Sequence, residues 1–278
     1  MSTVREHLQD AAARIAGDSP RADAELLLAH ARGCARSRLL VDADDALPPA
    51  VAAQLESLVE RRIAGEPVAY LIGRRGFWTL DLEVTPAVLI PRPETELLVE
   101  FALDRTPRDR AATVLDLGTG SGAIALAIAS ERPHCHVVAV DASEAALQVA
   151  QRNAQHHALR NVRFVHGSWY RPLAGQRFDL IVSNPPYIAE HDPHLGEGDL
   201  RFEPRAALAA GHDGFDAIRT IVDGAEVHLL PDAWLAIEHG YDQSSSVCSL
   251  LRAAGLLEVA ALRDLAGHER VSVGRAPA

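Results

Sequence analysis

Val114-Leu115-Asp116-Leu117-Gly118-Thr119-Gly120-Ser121-Gly122 decides the fold: a short apolar run carrying an acid passes into glycines at alternate positions. Val114 to Leu117 reads as a buried strand and Gly118 to Gly122 as the turn into a helix from Ala123 to Ser130. Glycines there let the backbone come close to a ligand and leave the helix-terminal N–H groups free. The pattern then repeats outward. Val137 to Val140, Val162 to Val165, Phe178 to Val182 and Trp234 to Glu238 are further strands, separated by helical stretches such as Gly214 to Leu230 and Ser244 to Ala254. Strands alternating with helices predict an α/β protein with a Rossmann-like, mostly parallel sheet covered on both faces. Leu257 to Leu262 and Arg270 to Val273 close it as an antiparallel pair.

The second strand ends in Asp141. An acid at this place accepts hydrogen bonds from ribose hydroxyls in sheets of this kind. A nicotinamide dinucleotide is the alternative cofactor, but the spacing is Gly-x-Gly-x-Gly rather than Gly-x-Gly-x-x-Gly. Asp116, just before the loop, is favourable near an ammonium group and unfavourable near a pyrophosphate. S-adenosyl-L-methionine, with a ribose, an adenine and a cationic tail but no phosphate, fits better. Trp169 follows the third strand at its carboxyl end, where its ring either packs on adenine or plugs the core.

The fourth strand delivers Asn184-Pro185-Pro186-Tyr187 to the same edge. Two prolines remove two N–H donors and hold Asn184 extended, so the turn is rich in acceptors and rigid. A side-chain carbonyl, backbone carbonyls and a flat ring suit a planar NH2 group. The lone pair of such a nitrogen is delocalised, so the site must take up its hydrogens and aim it at a strong electrophile. An ordinary Asn-Pro turn is the plain alternative.

Residues 1–72 read as a separate helical bundle: Val4, Leu8, Ala12 and Ile15 share a helical face, and Pro48-Pro49 opens a helix closed by Gly65. Residues 73–93, with Phe77, Trp78, Leu80, Leu82 and Val84, read as a hairpin linker, and 94–278 as the catalytic domain. Arg92, between two prolines, either lines the substrate entrance or caps a helix. Glu190 to Ala210 is a long irregular insertion of the kind that forms lids or docking surfaces.

Composition narrows the function. In 278 residues with 48% hydrophobic content and a net charge of −11, there is no basic excess with which to grip nucleic acid. No apolar run approaches the ~20 residues that cross a bilayer, and the N-terminus lacks an export signal, so a cytoplasmic protein is expected. Cys34, Cys135 and Cys248 are scattered and odd in number, which predicts neither disulfides nor zinc, and the 13 histidines show no ligand spacing; no metal is assigned.

Together, Ile90-Pro91-Arg92-Pro93-Glu94-Thr95-Glu96, Asp116 to Gly122, Asp141, Asn184 to Tyr187, Arg201-Phe202-Glu203-Pro204 and Glu238-His239-Gly240 resemble the HemK/PrmC family, the peptide-chain-release-factor glutamine N5-methyltransferases. The resemblance implies that Gly118, Thr119, Gly120, Ser121, Gly122, Asp141, Trp169 and Asn184 contact the methyl donor. It implies that Asn184, Pro185, Pro186 and Tyr187 hold the glutamine, with Asn184, Pro185 and Tyr187 catalytic. The implied substrate is the Gly-Gly-Gln loop of bacterial class 1 release factors; residues 1–72 read as a substrate-docking domain, with support of the catalytic domain as the alternative, and the chain is expected to act as a monomer. Ser168 stands where relatives often carry an acid, which touches the adenine hydrogen bond. The alternatives are glutamine methylation of a ribosomal protein, adenine-N6 methylation of DNA on a flipped base, and a cofactor-binding scaffold without catalysis.

Overall fold

The computed structural model of the chain describes residues 2–278. Contacts divide these into two compact units, one reaching to Arg74 and including Gly198–Phe202, the other formed by Arg75–Glu197 and Glu203–Ala278.

The first unit is helical: α1 (Val4–Arg14), α2 (Pro20–Arg32), α3 (Arg38–Val41), α4 (Pro49–Ile63) and α5 (Val68–Ile72). The Thr3 hydroxyl and Glu6 carboxylate close a reciprocal capping box at the start of α1, satisfying amides that the helix cannot satisfy itself. Pro20 opens α2, and Gly33, in the left-handed region, ends it. Val4, Leu8, Leu27, Leu28, Leu55 and Val59 meet in the core. Gly198–Phe202 packs onto these helices: Arg62 bonds Asp23 at 2.8 Å and Asp199 at 2.9 Å.

The chain continues into a two-stranded hairpin, β1 (Arg74–Phe77) and β2 (Leu80–Glu83), followed in the second unit by α6 (Glu96–Arg105). Then come β3 (Thr113–Leu117), α7 (Ala123–Glu131), β4 (His136–Asp141), α8 (Glu144–His156), β5 (Val162–His166), β6 (Phe178–Ser183), α9 (Asp216–His228), β7 (Leu229–Glu238), α10 (Ser244–Ala253), β8 (Leu257–Arg263) and β9 (Glu269–Arg275). The seven-stranded sheet has the order β5-β4-β3-β6-β7-β9-β8. β9 runs antiparallel to both β7 and β8, and the remaining pairs are parallel.

Alternation along the central strands assigns the faces. Val114, Leu180 and Val182 point into one core with α6, α7 and the hairpin residues Phe77, Leu80 and Leu82. Leu115, Leu117 and Ile181 point into the other with α9 and α10. α7 is apolar nearly all round and wholly buried from Ala123 to Ala129. The passage from α9 to β7 comes earlier than the sequence predicts: α9 stops at His228 and β7 starts at Leu229 rather than Trp234. Pro231 explains this, because it biases Leu230 toward extended backbone and cannot itself continue a helix. Among the described residues no helix is long and apolar enough to cross a membrane.

Gly122 sits at φ 86°, where an added Cβ would stand 3.0 Å from Leu126 and 3.2 Å from Ala150. Gly122→Ala therefore destabilises the second unit by about 1–3 kcal/mol through left-handed strain and crowding, measured by urea unfolding. Unchanged stability contradicts this packing.

Candidate functional site

The chain leaves β3 toward β4 on one side and places β6 on the other, so the carboxyl ends of β3 and β6 splay around a crevice, the usual ligand position in open α/β sheets. A cavity of about 310 Å³ opens there, walled by Gly118–Ser121, Asp141–Ser143, Asn184 and Pro186, with Pro91, Arg92, Thr95, Pro204, Ala206 and Ala207 opposite.

Gly118, Gly120 and Gly122 all have positive φ. The turn is pinned to the neighbouring strand, since the amides of Gly118 and Thr119 both donate to the Val140 carbonyl, at 2.9 and 3.0 Å. Nothing lies within 4 Å of a Cβ built on Gly120, so its backbone faces open space. Asn153, on α8, donates to the Ser121 carbonyl at 2.9 Å and exchanges hydrogen bonds with the Glu83 backbone, steadying the loop from behind.

Asp141 accepts from the Gly120 amide through Oδ2 and from the Ser143 amide through Oδ1, both at 2.8 Å. These bonds fix the carboxylate plane and leave further lone pairs on both oxygens. Burial raises its pKa, against the opposing effect of those amides. Asp116 is fully buried behind the loop; Oδ2 accepts the Thr119 hydroxyl at 2.6 Å, while Oδ1 has no hydrogen-bond partner among the described residues. Burial pushes its pKa up to about 7.

Ser183 closes β6 with a hydrogen bond from its hydroxyl to the Leu117 carbonyl, 2.7 Å, holding the tips of β6 and β3 together. Asn184 follows, and its Nδ2 donates to the Thr95 hydroxyl at 3.1 Å. With the nitrogen committed, Oδ1 is the group left to accept from a ligand. Pro185 is buried and Pro186 reaches the cavity wall. Tyr187 is held by its carbonyl, which accepts from Gln243 Nε2 at 3.0 Å. A Cβ on Gly214 would lie 2.4 Å from that carbonyl, so glycine is required there. Burial, reinforced by the Glu238 charge, drives the Tyr187 phenol far above its ordinary pKa; it packs as a neutral ring.

Of the residues singled out in the sequence, Gly118–Ser121, Asp141, Asn184 and Pro186 line the cavity. Gly122 faces Leu126 and Ala150 instead. Trp169, at φ 50°, brings its ring to about 3.6 Å from where a Gly118 Cβ would stand, behind the glycine turn. Ser168 borders a separate recess with Trp169, Tyr170, Arg171 and Thr220. Arg92 lines the cavity and ion-pairs with Glu203, whose buried carboxylate also accepts from the Ile90 amide at 3.3 Å. The base of the long insertion is closed where Ile188 exchanges backbone hydrogen bonds with Leu208 and Ala210. Thr95 and Glu238 carried no site role in the sequence reading. Thr95 is buried at the start of α6, and Glu238 is buried at the tip of β7.

The donor set fits S-adenosylmethionine. A fixed carboxylate stands at the β4 tip for a diol, glycine backbone permits close approach, and a buried acid with an unpartnered oxygen favours a positive charge over a phosphate.

Residues 93–197 match the family model described as methyltransferase small domain, and residues 6–73 match PrmC N-terminal domain. The chain is 57% identical over 257 residues to the release factor glutamine methyltransferase of Xylella fastidiosa, covering 92% of this chain and 94% of that one. It is 48% identical over 260 residues to the protein of the same description from Escherichia coli, covering 94% of each. Among solved structures, a methyltransferase from Pyrococcus furiosus aligns with a TM-score of 0.53 at 20% identity, over 79% of this chain and 98% of that one, a likeness of fold.

Asp141→Ala removes a charged acceptor whose hydrogen bonds are worth ~1.5–3 kcal/mol each. It raises the Kd for S-adenosylmethionine by at least about tenfold in calorimetry, and an unchanged Kd removes Asp141 from the cofactor site.

Proposed function

This chain belongs to the release factor glutamine methyltransferase family, and from that premise we propose that it methylates the side-chain amide nitrogen of the glutamine in the Gly-Gly-Gln motif of bacterial class 1 release factors. The observation that carries the reading is Asn184, anchored through Nδ2 and so left with its carbonyl to offer, at the mouth of the glycine-lined cavity. When bound, S-adenosylmethionine supplies an electrophilic methyl group on a positively charged sulfur.

The residues act by placement. Asn184 Oδ1 and the Pro185 carbonyl take up the two amide hydrogens, and the neutral ring of Tyr187 packs on the amide plane. Their combined effect is to point the nitrogen along one line while drawing hydrogen-bond density toward the acceptors. No side chain has to remove a proton beforehand, because the amide becomes strongly acidic only as its new bond to the methyl forms and the methyl–sulfur bond breaks; the methylated nitrogen then loses one proton to an acceptor or water. Orientation of this sort supplies up to ~7–11 kcal/mol in well-aligned intramolecular reactions, and fixed acceptors facing the developing positive charge on nitrogen add to it. Gly118, Thr119, Gly120, Ser121 and Asp141 hold the donor, with Trp169 supporting the adenine side.

The helical unit of residues 1–72 docks the protein substrate in this reading, since the glutamine cradle alone is too small to distinguish a release factor from other glutamine-bearing chains. The acidic balance of the chain, −11, supports a protein rather than a nucleic-acid target.

Mass spectrometry of a release factor incubated with this protein and S-adenosylmethionine, with peptide mapping, tests the proposal. One added methyl on the Gly-Gly-Gln glutamine is the expected result. An unmethylated glutamine, with methyl found on ribosomal protein or DNA, overturns it.

A further inference from the structure

Glu238-His239-Gly240, at the tip of β7 and just beyond it, is a motif that the chemistry proposed above leaves without a task. The Asn184–Tyr187 turn in its turn needs anchoring from outside. Pro185 and Pro186 carry no N–H, so this stretch of backbone is held by donors that come to its carbonyls from elsewhere. At the Tyr187 end the donor is Gln243, whose Nε2 reaches the Tyr187 carbonyl at 3.0 Å across 56 positions of sequence. Gln243 is half-buried at the entrance to α10. Its Oε1 accepts from the Gly240 amide at 2.9 Å, and its own amide donates to the Gly240 carbonyl at 3.0 Å. With Oε1 committed, the NH2 end is the one that faces Tyr187. A Cβ on Gly240 would stand 3.1 Å from that Oε1, so the side chain folds back onto the turn only because a glycine is there.

His239 fixes this turn from behind. The residue is wholly buried, and its amide donates to the Arg270 carbonyl at 2.9 Å. Nδ1 lies 2.8 Å from the Gly240 carbonyl, which can only accept, so Nδ1 carries the proton; Nε2 then accepts from the Ser272 hydroxyl, in β9, at 2.8 Å. Burial lowers the pKa of the ring and keeps it neutral. A continuous series of hydrogen bonds therefore runs from β9 through His239, Gly240 and Gln243 to Tyr187. It reaches the tetrapeptide at the end opposite to the bond between Asn184 and Thr95.

We propose that Gln243 is a positioning residue of the glutamine cradle: its amide, set by Gly240 and His239, holds the Tyr187 end of the tetrapeptide so that the ring and the Pro185 carbonyl meet the substrate amide at one angle. The inference rests on the glutamine-methylating function proposed above. Gln243 is not among the residues that line the cavity, and its side-chain bonds go to Gly240 and Tyr187 rather than to the glycine turn or Asp141 that hold the methyl donor. Its loss therefore lowers turnover and leaves donor binding as it is. A displacement of the cradle by about 1 Å is enough, because a misplacement of that size costs about 10²-fold in rate.

Two variants separate positioning from a structural role. Gln243→Met keeps the length of the side chain without either hydrogen bond. Gln243→Glu keeps an acceptor for Gly240 but donates to Tyr187 only while its carboxyl is protonated; ionised, it sets oxygen against the Tyr187 carbonyl, a repulsion that lifts its pKa above the usual ~4.3. Tyr187-Ile188 is the only Tyr-Ile pair in the chain, so protein labelled with 13C at tyrosine carbonyls and 15N at isoleucine gives one coupled signal that reports the Tyr187 carbonyl. Loss of its hydrogen bond moves that signal upfield in Gln243→Met, and in Gln243→Glu the signal moves from near the native position to the shifted one as the pH rises from about 5 to about 8. In release-factor methylation at saturating donor, kcat of Gln243→Met falls by up to about 10²-fold with an unchanged Kd for S-adenosylmethionine. The kcat of Gln243→Glu, taken relative to the native protein at each pH, falls with the same apparent pKa as its carbonyl signal. If Gln243→Met does not fold, the two protonation states of Gln243→Glu supply the comparison within one protein. A Tyr187 signal that stays in place, a native kcat once the signal has moved, or an equal loss of donor affinity overturns the proposal. If the native protein leaves the release factor unmethylated, the proposed function fails, while the carbonyl signal still decides whether Gln243 holds Tyr187.

Discussion

A carboxamide nitrogen cannot be made nucleophilic by a neighbouring base without first losing a very weakly acidic proton, so a protein that uses one must hold it instead. That constraint makes the hydrogen bond from Asn184 Nδ2 to Thr95 Oγ1 the hinge of the second unit. It fixes which end of the Asn184 amide is on offer, and the architecture around it serves to keep the bond in place. β6 carries Asn184, Ser183 ties the strand tip to Leu117, and buried Thr95 enters from the start of α6. A slip of one residue in β6 would exchange the contents of its two cores, because Leu180 and Val182 face one and Ile181 the other.

The ligand side of the crevice is built by the same means, with backbone doing most of the work. Gly118 and Thr119 hang from Val140, and Gly120 and Ser143 hold Asp141. The carboxylate, the glycine turn and the strand tip are thus one hydrogen-bonded unit. Asp116 behind it and Glu238 at the tip of β7 are two buried acids, each with one oxygen lacking a hydrogen-bond partner among the described residues and each with its pKa raised by burial to about 7. Burial of charge of this kind works against stability, and Asp116 stands directly behind Thr119, which faces the cavity.

Much of this was legible in the chain because it depends on local rules. Gly118 and Gly120 announce positive φ, Asp141 ends a run of valines, and the two prolines after Asn184 announce a rigid acceptor-rich turn. The central parallel strands follow from apolar runs separated by helical stretches. What was not legible depends on distance in the sequence. Nothing about Thr95 points to Asn184, which is 89 positions away; they meet only because α6 packs onto β6 and β7. The pairing of Arg92 with Glu203 is of the same kind, as is the attachment of Gly198–Phe202 to the N-terminal helices through Arg62 and Asp199. Gly122 is a different case: the sequence marks it correctly as a glycine position, but its reason is the contact with Ala150 rather than a ligand.

The most direct measurement is a crystal structure of the protein with S-adenosylhomocysteine and a Gly-Gly-Gln peptide bound together. The account predicts one amide hydrogen of the glutamine on Asn184 Oδ1, the other on the Pro185 carbonyl, and its nitrogen facing the place of the transferred methyl, with reacting atoms about 3–3.5 Å apart once the methyl is restored. A glutamine amide bound away from Asn184, or an Asn184 presenting NH2 to the peptide, would contradict it.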